Sequence, residues 1–384
     1  MSTFRIALVM TAPLVLASVV RGQLVFEFTK SPSFLALESS DPTKADAIYS
    51  NAVAAGAKFS GLFSDPVTLR YTLDYGATPS GVLAFADSSF AAASYSSVKG
   101  ALIGDATSLY DFTSLGGLPM GPSVPMYRND TADLTFPEKE PFLDPTPMSV
   151  NNTMMDMGKS NLKALGLLSG TAGAAGSDAT IKVSDTTVFD FDHSDGITTD
   201  TFDFRGVMLH EIAHAMGFVS GTDTMAIHLS SPPPVVDGMP MLTTLDLFRY
   251  SPLSLSMGAR DISLPLPGVT GDAALRFFSI DGGATMLESF STGDGPFGFG
   301  DGAQGGHWKA DGTLGLMDPT LASGYNLTSA WDTMLMGGTP ADIIALDAIG
   351  WTTIPAPSAV LPLAAGLALA ARRGRSTNAP STSL

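Results

Sequence analysis

Between residues 67 and 75 apolar and polar positions alternate: Val67, Leu69, Tyr71, Leu73 and Tyr75 fall on one side, Thr68, Arg70, Thr72 and Asp74 on the other. A period of two predicts a half-buried strand. Upstream, Ile48, Ala52, Ala55 and Phe59 recur at helical spacing in an Ala-rich stretch. They predict a helix over 45–63, ended by Asp65-Pro66. Further helices are predicted over 94–104 and 152–168, and short strands over 179–183 and 187–191. Residues 111–150 are rich in Pro and Gly, hold no sustained period and read as an irregular excursion. A helix over 203–216 follows, with Asp203 as its N-cap and Gly217 as its stop. Residues 230–300 are again Pro- and Gly-rich, with short strands such as 276–280. Thr339-Pro340 opens a last helix that ends at Gly350, with Thr339 as cap, Pro340 in the first turn, and Ile343, Leu346 and Ile349 on the buried stripe. No internal repeat is seen. The pattern predicts a mixed α/β (α+β) domain over 23–351, with an N-terminal subdomain of about 23–217 and an irregular C-terminal subdomain of about 218–351.

The two ends follow a different pattern. Arg5 precedes an apolar run from Ile6 to Val20, with small residues near Gly22. This predicts a secretory signal peptide over 1–22. After Trp351 comes a Pro-containing linker, then an almost wholly apolar stretch from Ser358 to Ala371, then Arg372-Arg373-Gly374-Arg375. Counted from Ile354, the stretch reaches the lower edge of membrane-spanning length, and the arginines fit the positive-inside rule. Residues 352–375 resemble a PEP-CTERM sorting signal of Gram-negative bacteria, except that Pro355-Ala356-Pro357 has Ala where Glu is usual and a polar tail, 376–384, follows. The resemblance implies recognition by a sorting machinery and a mature protein outside the cell or at its surface. A permanent transmembrane anchor is the alternative; it too puts the body outside the cytoplasm.

Composition narrows the chemistry. Forty Gly and 26 Pro in 384 residues indicate a loop-rich protein. The absence of Cys excludes disulfides, thiolate metal sites and cysteine nucleophiles. Thirty-seven acidic against 20 basic residues, a formal charge of −17, disfavours nucleic acid and anionic membranes as partners. The same acidity suits Ca2+. Asp190, Asp192, Asp195 and Asp200 around Gly196, and Asp294 with Asp301, are candidate calcium ligands or, more simply, turn residues.

The decisive segment is Leu209-His210-Glu211-Ile212-Ala213-His214-Ala215-Met216-Gly217-Phe218. On a helix, positions i and i+4 lie one above the other, so His210 and His214 can reach one zinc ion from one face. Glu211, beside the first histidine, is the candidate general base for an attacking water. A third ligand is needed to leave one position open. His193, His228, His307, Asp223 and Glu288 are the candidates.

The longer pattern His210-Glu211-x-x-His214-x-x-Gly217, with Phe218 next, resembles the metzincin clan. It departs at Ser220, where most members carry the third ligand. Gly305-Gly306-His307-Trp308-Lys309 followed by Leu316-Met317-Asp318-Pro319 is similar to the distant third histidine and Met-turn of leishmanolysin-like members. Phe189-Asp190-Phe191-Asp192, Leu245-Asp246-Leu247-Phe248-Arg249-Tyr250, Phe278-Ser279-Ile280-Asp281-Gly282-Gly283 and Ala345 to Trp351 extend the likeness, over most of 45–371, to bacterial PEP-CTERM-tagged secreted metallopeptidases of that type. The resemblance implies a twisted mixed sheet with a backing helix and an active-site helix, followed by an irregular part with a Met-turn. It implies His210, His214 and His307 around one catalytic Zn2+, Glu211 as base, and Met317 as packing beneath the metal. It implies an endopeptidase acting on protein or peptide substrates, with 187–191 as the edge strand that receives them. Tyr325 stands either as an oxyanion stabiliser or as a structural tyrosine. The alternatives are a non-catalytic, zinc-stabilised surface or matrix protein and a zinc hydrolase of non-peptide amides.

Overall fold

The alternating segment is a central strand in the computed structural model, which describes residues 23–129, 140–168, 176–230, 238–310 and 315–354. The chain enters through β1 (Val25–Lys30), turns through α1 (Pro32–Ser40) and α2 (Pro42–Ser60), and returns as β2 (Thr68–Gly76), parallel to β1. Leu69, Tyr71 and Leu73 are fully buried on one face of β2, as the alternation requires. Helix α2 buries Ile48, Ala52, Ala55 and Phe59, the face predicted for it. It is capped by Asp41, whose carboxylate accepts from the Lys44 amide.

The chain continues through β3 (Ala84–Ser88), β4 (Phe90–Ser94), α3 (Tyr95–Asp105), α4 (Leu109–Gly116), β5 (Met126–Asn129), β6 (Pro141–Leu143), α5 (Val150–Thr153), β7 (Met154–Gly158), α6 (Lys159–Ala164) and β8 (Ala179–Ser184). The main sheet has the order β1-β2-β8-β3, with β3 antiparallel at one edge. Two short strands, β9 (Phe189–Asp190) and β10 (Phe202–Asp203), then lead into α7 (Phe204–Met216) and α8 (Gly221–Ser230). The second half is mostly loops. Among them lie α9 (Pro252–Ser256), α10 (Leu327–Gly337), α11 (Ala341–Ala348) and two-residue strands. The fold class is mixed α/β, with several small sheets.

Four expectations are corrected. The helix predicted over 152–168 is broken by β7, which pairs antiparallel with β4, Ala92 opposite Asp156. Met155 and Met157 alternate into the core, so cross-strand packing overrides the helical propensity of methionine. The strand predicted over 187–191 shrinks to β9, pairs only with β10, and is not the edge of the main sheet; β3 is. The excursion at 111–150 contains α4, capped by Ser108 and Asp111, and the ribbon β5–β6. Thr339 does not cap the last helix: α11 opens at Ala341, with Pro340 in the cap position and no side-chain cap bond.

Buried charge joins the layers. Lys163 of α6 meets Asp178 at 2.6 Å and donates to the carbonyl of Thr68, while Asp178 accepts from the amide of Arg70 at 2.7 Å. At the end of α11, Trp351 is buried and its Nε1 donates to Met216 O. The amide of Thr352 donates to Asp65. Among the described residues no helix is long and apolar enough to cross a membrane. The signal peptide assigned to 1–22 and the segment from 355 to 384 lie outside the described residues.

Two predictions follow from this burial. Lys163→Met leaves Asp178 buried without its cation and is expected to lower stability by about 3–5 kcal/mol in urea denaturation. Burial, and secondarily Asp105, pushes the Asp65 carboxyl up to about 7. The folded state therefore binds more protons than the unfolded chain between the ordinary aspartate range and pH 7, and Asp65's contribution to stability falls as pH rises through that window. Asp65→Asn removes that contribution, so the stability of wild type relative to Asp65→Asn is expected to decline from pH 4.5 to pH 7.5.

Candidate metal centre

Helix α7 is fixed at both ends. Asp203 accepts from the amide of Gly206 with one carboxylate oxygen and from the amide of Thr328, in α10, with the other. Gly217 closes the helix at φ +118°, in the left-handed region, where a Cβ would also come within 3.0 Å of Asn161. Most of the helix is buried: Val207, Met208, Leu209, Ile212, Ala213, Ala215 and Met216 face the core. His210 and His214 both line a cleft, with ring centroids 4.6 Å apart.

The loop ending in His307 completes a triangle. The Nε2 atoms are 3.0 Å apart for His210 and His214, 3.1 Å for His214 and His307, and 3.2 Å for His210 and His307. Each Nδ1 faces a backbone carbonyl: His210 that of Leu316 at 2.8 Å, His214 that of Phe218 at 2.7 Å, and His307 that of Gln304 at 3.3 Å. A carbonyl only accepts, so each Nδ1 carries the proton and each Nε2 turns its lone pair inward. Burial lowers His210 to about 4 and His307 to about 3, and lowers His214 well below the ordinary range, with the other two histidines adding to it. Three neutral nitrogens at this spacing repel one another unless a cation lies among them. Tetrahedral zinc with Zn–N of 2.0–2.1 Å requires N···N separations of about 3.3 Å, so the donor set fits such an ion.

The supports are carboxylates and one arginine. Asp223 accepts from the amides of Gly305 at 2.6 Å and Gly306 at 3.0 Å. Arg249 donates to the carbonyls of Gly305 and Ser291. A Cβ at Gly305 would lie 2.5 Å from Thr222 Cβ, so the loop approaches α8 closely only as glycine. Asp342 accepts from Trp308 Nε1 at 2.7 Å and from the amides of Leu316 and Met317, which ties the turn at Met317 to Trp308, the residue after His307. Met317 is fully buried. Neither Asp342 nor Arg249 is recognisable in these roles from the sequence, because a carboxylate or guanidinium serving distant backbone groups leaves no periodicity.

Glu211 is buried and lines the same cleft. Burial pushes its carboxyl up to about 8, against a backbone hydrogen bond from Ala86 of β3. A cation held by the histidines favours the carboxylate form. The cleft encloses about 1010 Å³ and is walled along one side by β3. Phe202, Val207, Leu321 and Leu327 give it an apolar part; Asp87, Asp156, Asp223, Asp294 and Asp318 also line it, and no Lys or Arg is among the described lining residues.

The other candidates lie elsewhere. Among the described residues, only His210, His214 and His307 bring three possible ligand atoms together. Ser220 donates to Asp246 at 2.6 Å. Asp223 holds the His307 loop, His228 is half-buried on α8, His193 sits in a single 3-10 turn, and the Glu288 carboxylate accepts from the amide of Ser289. Tyr325 packs against the core and is not among the cleft-lining residues. Asp190 and Asp192 accept local amides and hydroxyls, and Asp301 accepts from Thr292 and Ala303 amides, as turn residues do. No family model, no curated protein and no solved structure matches this chain.

Asp223→Ala is expected to release the Gly305–His307 loop and weaken zinc binding about 10–100-fold in a competition titration with a chelating dye. His228→Ala, outside the cluster, is expected to leave it unchanged.

Proposed function

We propose that the chain is a secreted zinc endopeptidase of the metzincin type, similar to leishmanolysin-like bacterial enzymes that carry a C-terminal sorting signal. The observation that carries this reading is the convergence of three Nε2 atoms within 3.2 Å of one another beside a buried glutamate in one cleft. His210, His214 and His307 would hold the ion. Zinc, when bound, supplies Lewis-acid polarisation of a carbonyl and acidifies water to near neutrality. Glu211 takes the proton of the attacking water and passes it to the departing amine as the C–N bond breaks. The free edge of β3, rather than 187–191, is the strand available to an extended substrate, which would add to it through main-chain hydrogen bonds. The aspartates along the cleft favour a substrate segment with basic residues. A purely structural zinc site needs neither a buried glutamate beside its ligands nor an open cleft, which supports the hydrolytic reading over the structural one.

The test is zinc content together with cleavage of denatured casein, for wild type and Glu211→Ala. Wild type is expected to bind one zinc and cleave. Glu211→Ala is expected to retain zinc and lose activity by about 1,000-fold or more. Zinc bound without cleavage of any peptide bond, before or after limited proteolysis, would support the structural-protein alternative instead.

A further inference from the structure

Among the described residues four arginines are buried: Arg128, Arg249, Arg260 and Arg276. Arg128 meets Asp144 at 2.7 Å, and Arg276 meets Asp261 at 3.0 Å. Arg249 lies in the field of Asp246, Asp261 and Asp223. Arg260 differs. It is 4% exposed, no ion pair forms on it among the described residues, and no carboxylate offsets the cost of its burial. A buried cation without a counter-ion is expensive, and in a chain with 37 acidic residues it is not forced by composition.

The surroundings of Arg260 show what is left open. Its Nε donates to Leu247 O and its Nη2 to Gly117 O, and its guanidinium stacks on the Tyr250 ring at 4.5 Å from the centroid. Among the described residues the Nη1 group has no hydrogen-bond partner, and it is not sealed from solvent. The same holds for the Tyr250 hydroxyl, although Tyr250 is 2% exposed. Both residues line a cavity of about 500 Å³, and no acidic residue is among its described lining residues. Pro119, Met120, Pro125 and Leu255 give it apolar walls. Asp281 bears on Tyr250 and is itself satisfied by Ser279 and Thr285. Tyr95, which also bears on Arg260, donates its hydroxyl to Pro119 O.

We propose that this cavity binds a monocarboxylate with a short apolar body, the carboxylate lying against Arg260 Nη1 and the Tyr250 hydroxyl. One cation matches one negative charge, whereas a phosphate dianion would be undercompensated. The walls suit an alkyl or aryl group, and the volume falls within the range of small-ligand pockets. A free organic acid and the C-terminal residue of a peptide share this chemistry. The site is separate from the histidine centre, so it stands or falls independently of the hydrolytic reading.

The test is calorimetric titration of the full chain with phenylacetate, N-acetylphenylalanine, N-acetylphenylalanine amide and inorganic phosphate. At least one of the two acids is expected to bind, and whichever does distinguishes a free organic acid from a peptide end. The amide and phosphate are expected to bind at least tenfold more weakly. Because Arg260 also braces two backbone carbonyls, the variants are Tyr250→Phe, which keeps the stack, and Leu255→Trp, which fills the cavity; both are checked for unchanged thermal unfolding. A tenfold loss of acid binding in either folded variant supports the site. Equal binding of acid and amide, equal binding of phosphate, no binding of either acid, or unchanged binding in both folded variants overturns it.

Discussion

Three imidazole lone pairs, held against one another by hydrogen bonds on the far sides of the rings, set the terms for the rest of this structure. The carbonyls that fix those rings come from three places: the residue just past the α7 stop, the turn before Met317, and the loop before His307. None of these segments is a regular element. Each must be immobilised by something else if the nitrogens are to stay within 3.2 Å of one another. Gly217 does this for the first through its left-handed backbone, Asp342 for the second, and Asp223 with Arg249 for the third.

Buried aspartates are the general solution in the loop-rich half. Asp246 accepts from the amides of Gly221 and Thr243 and from the hydroxyls of Ser220 and Thr243. Asp203 joins α7 to α10, and Asp347 accepts from Ser108 and Thr353. In a chain without cysteine, these carboxylates do the cross-linking between loops that disulfides do in other proteins. The acidic excess is thus partly internal: among the described residues ten aspartates are buried. Composition alone reads this acidity as suited to calcium, and the described structure uses much of it as hydrogen-bond acceptors for backbone amides.

What the sequence revealed and what it hid divide along physical lines. The β2 alternation, the Asp203 cap, the Gly217 stop and the i, i+4 histidines are local signals, and each lies where the pattern indicated. His307 stood among five possible third ligands, and only the fold brings it to the pair on α7. Strands β3, β4 and β7 escaped because Ala84 to Ser94 and Met154 to Gly158 carry few β-branched residues; they are strands by pairing rather than by propensity. The error in assigning the sheet edge to 187–191 has the same origin, since Val188, Phe189 and Phe191 look more strand-like than Ala84-Phe85-Ala86.

The third histidine lies 93 positions beyond the second. During synthesis, the α7 pair therefore emerges long before its companion, and even then the loop must dock on α8 and the Met317 turn on α11 before the triangle closes. A ribosome-bound or prematurely ended chain that stops short of residue 307 carries two of the three nitrogens and lacks the last. Assembly of the centre is thereby a late step, coupled to near-completion of the domain, and a half-made molecule lacks the complete triangle by topology alone.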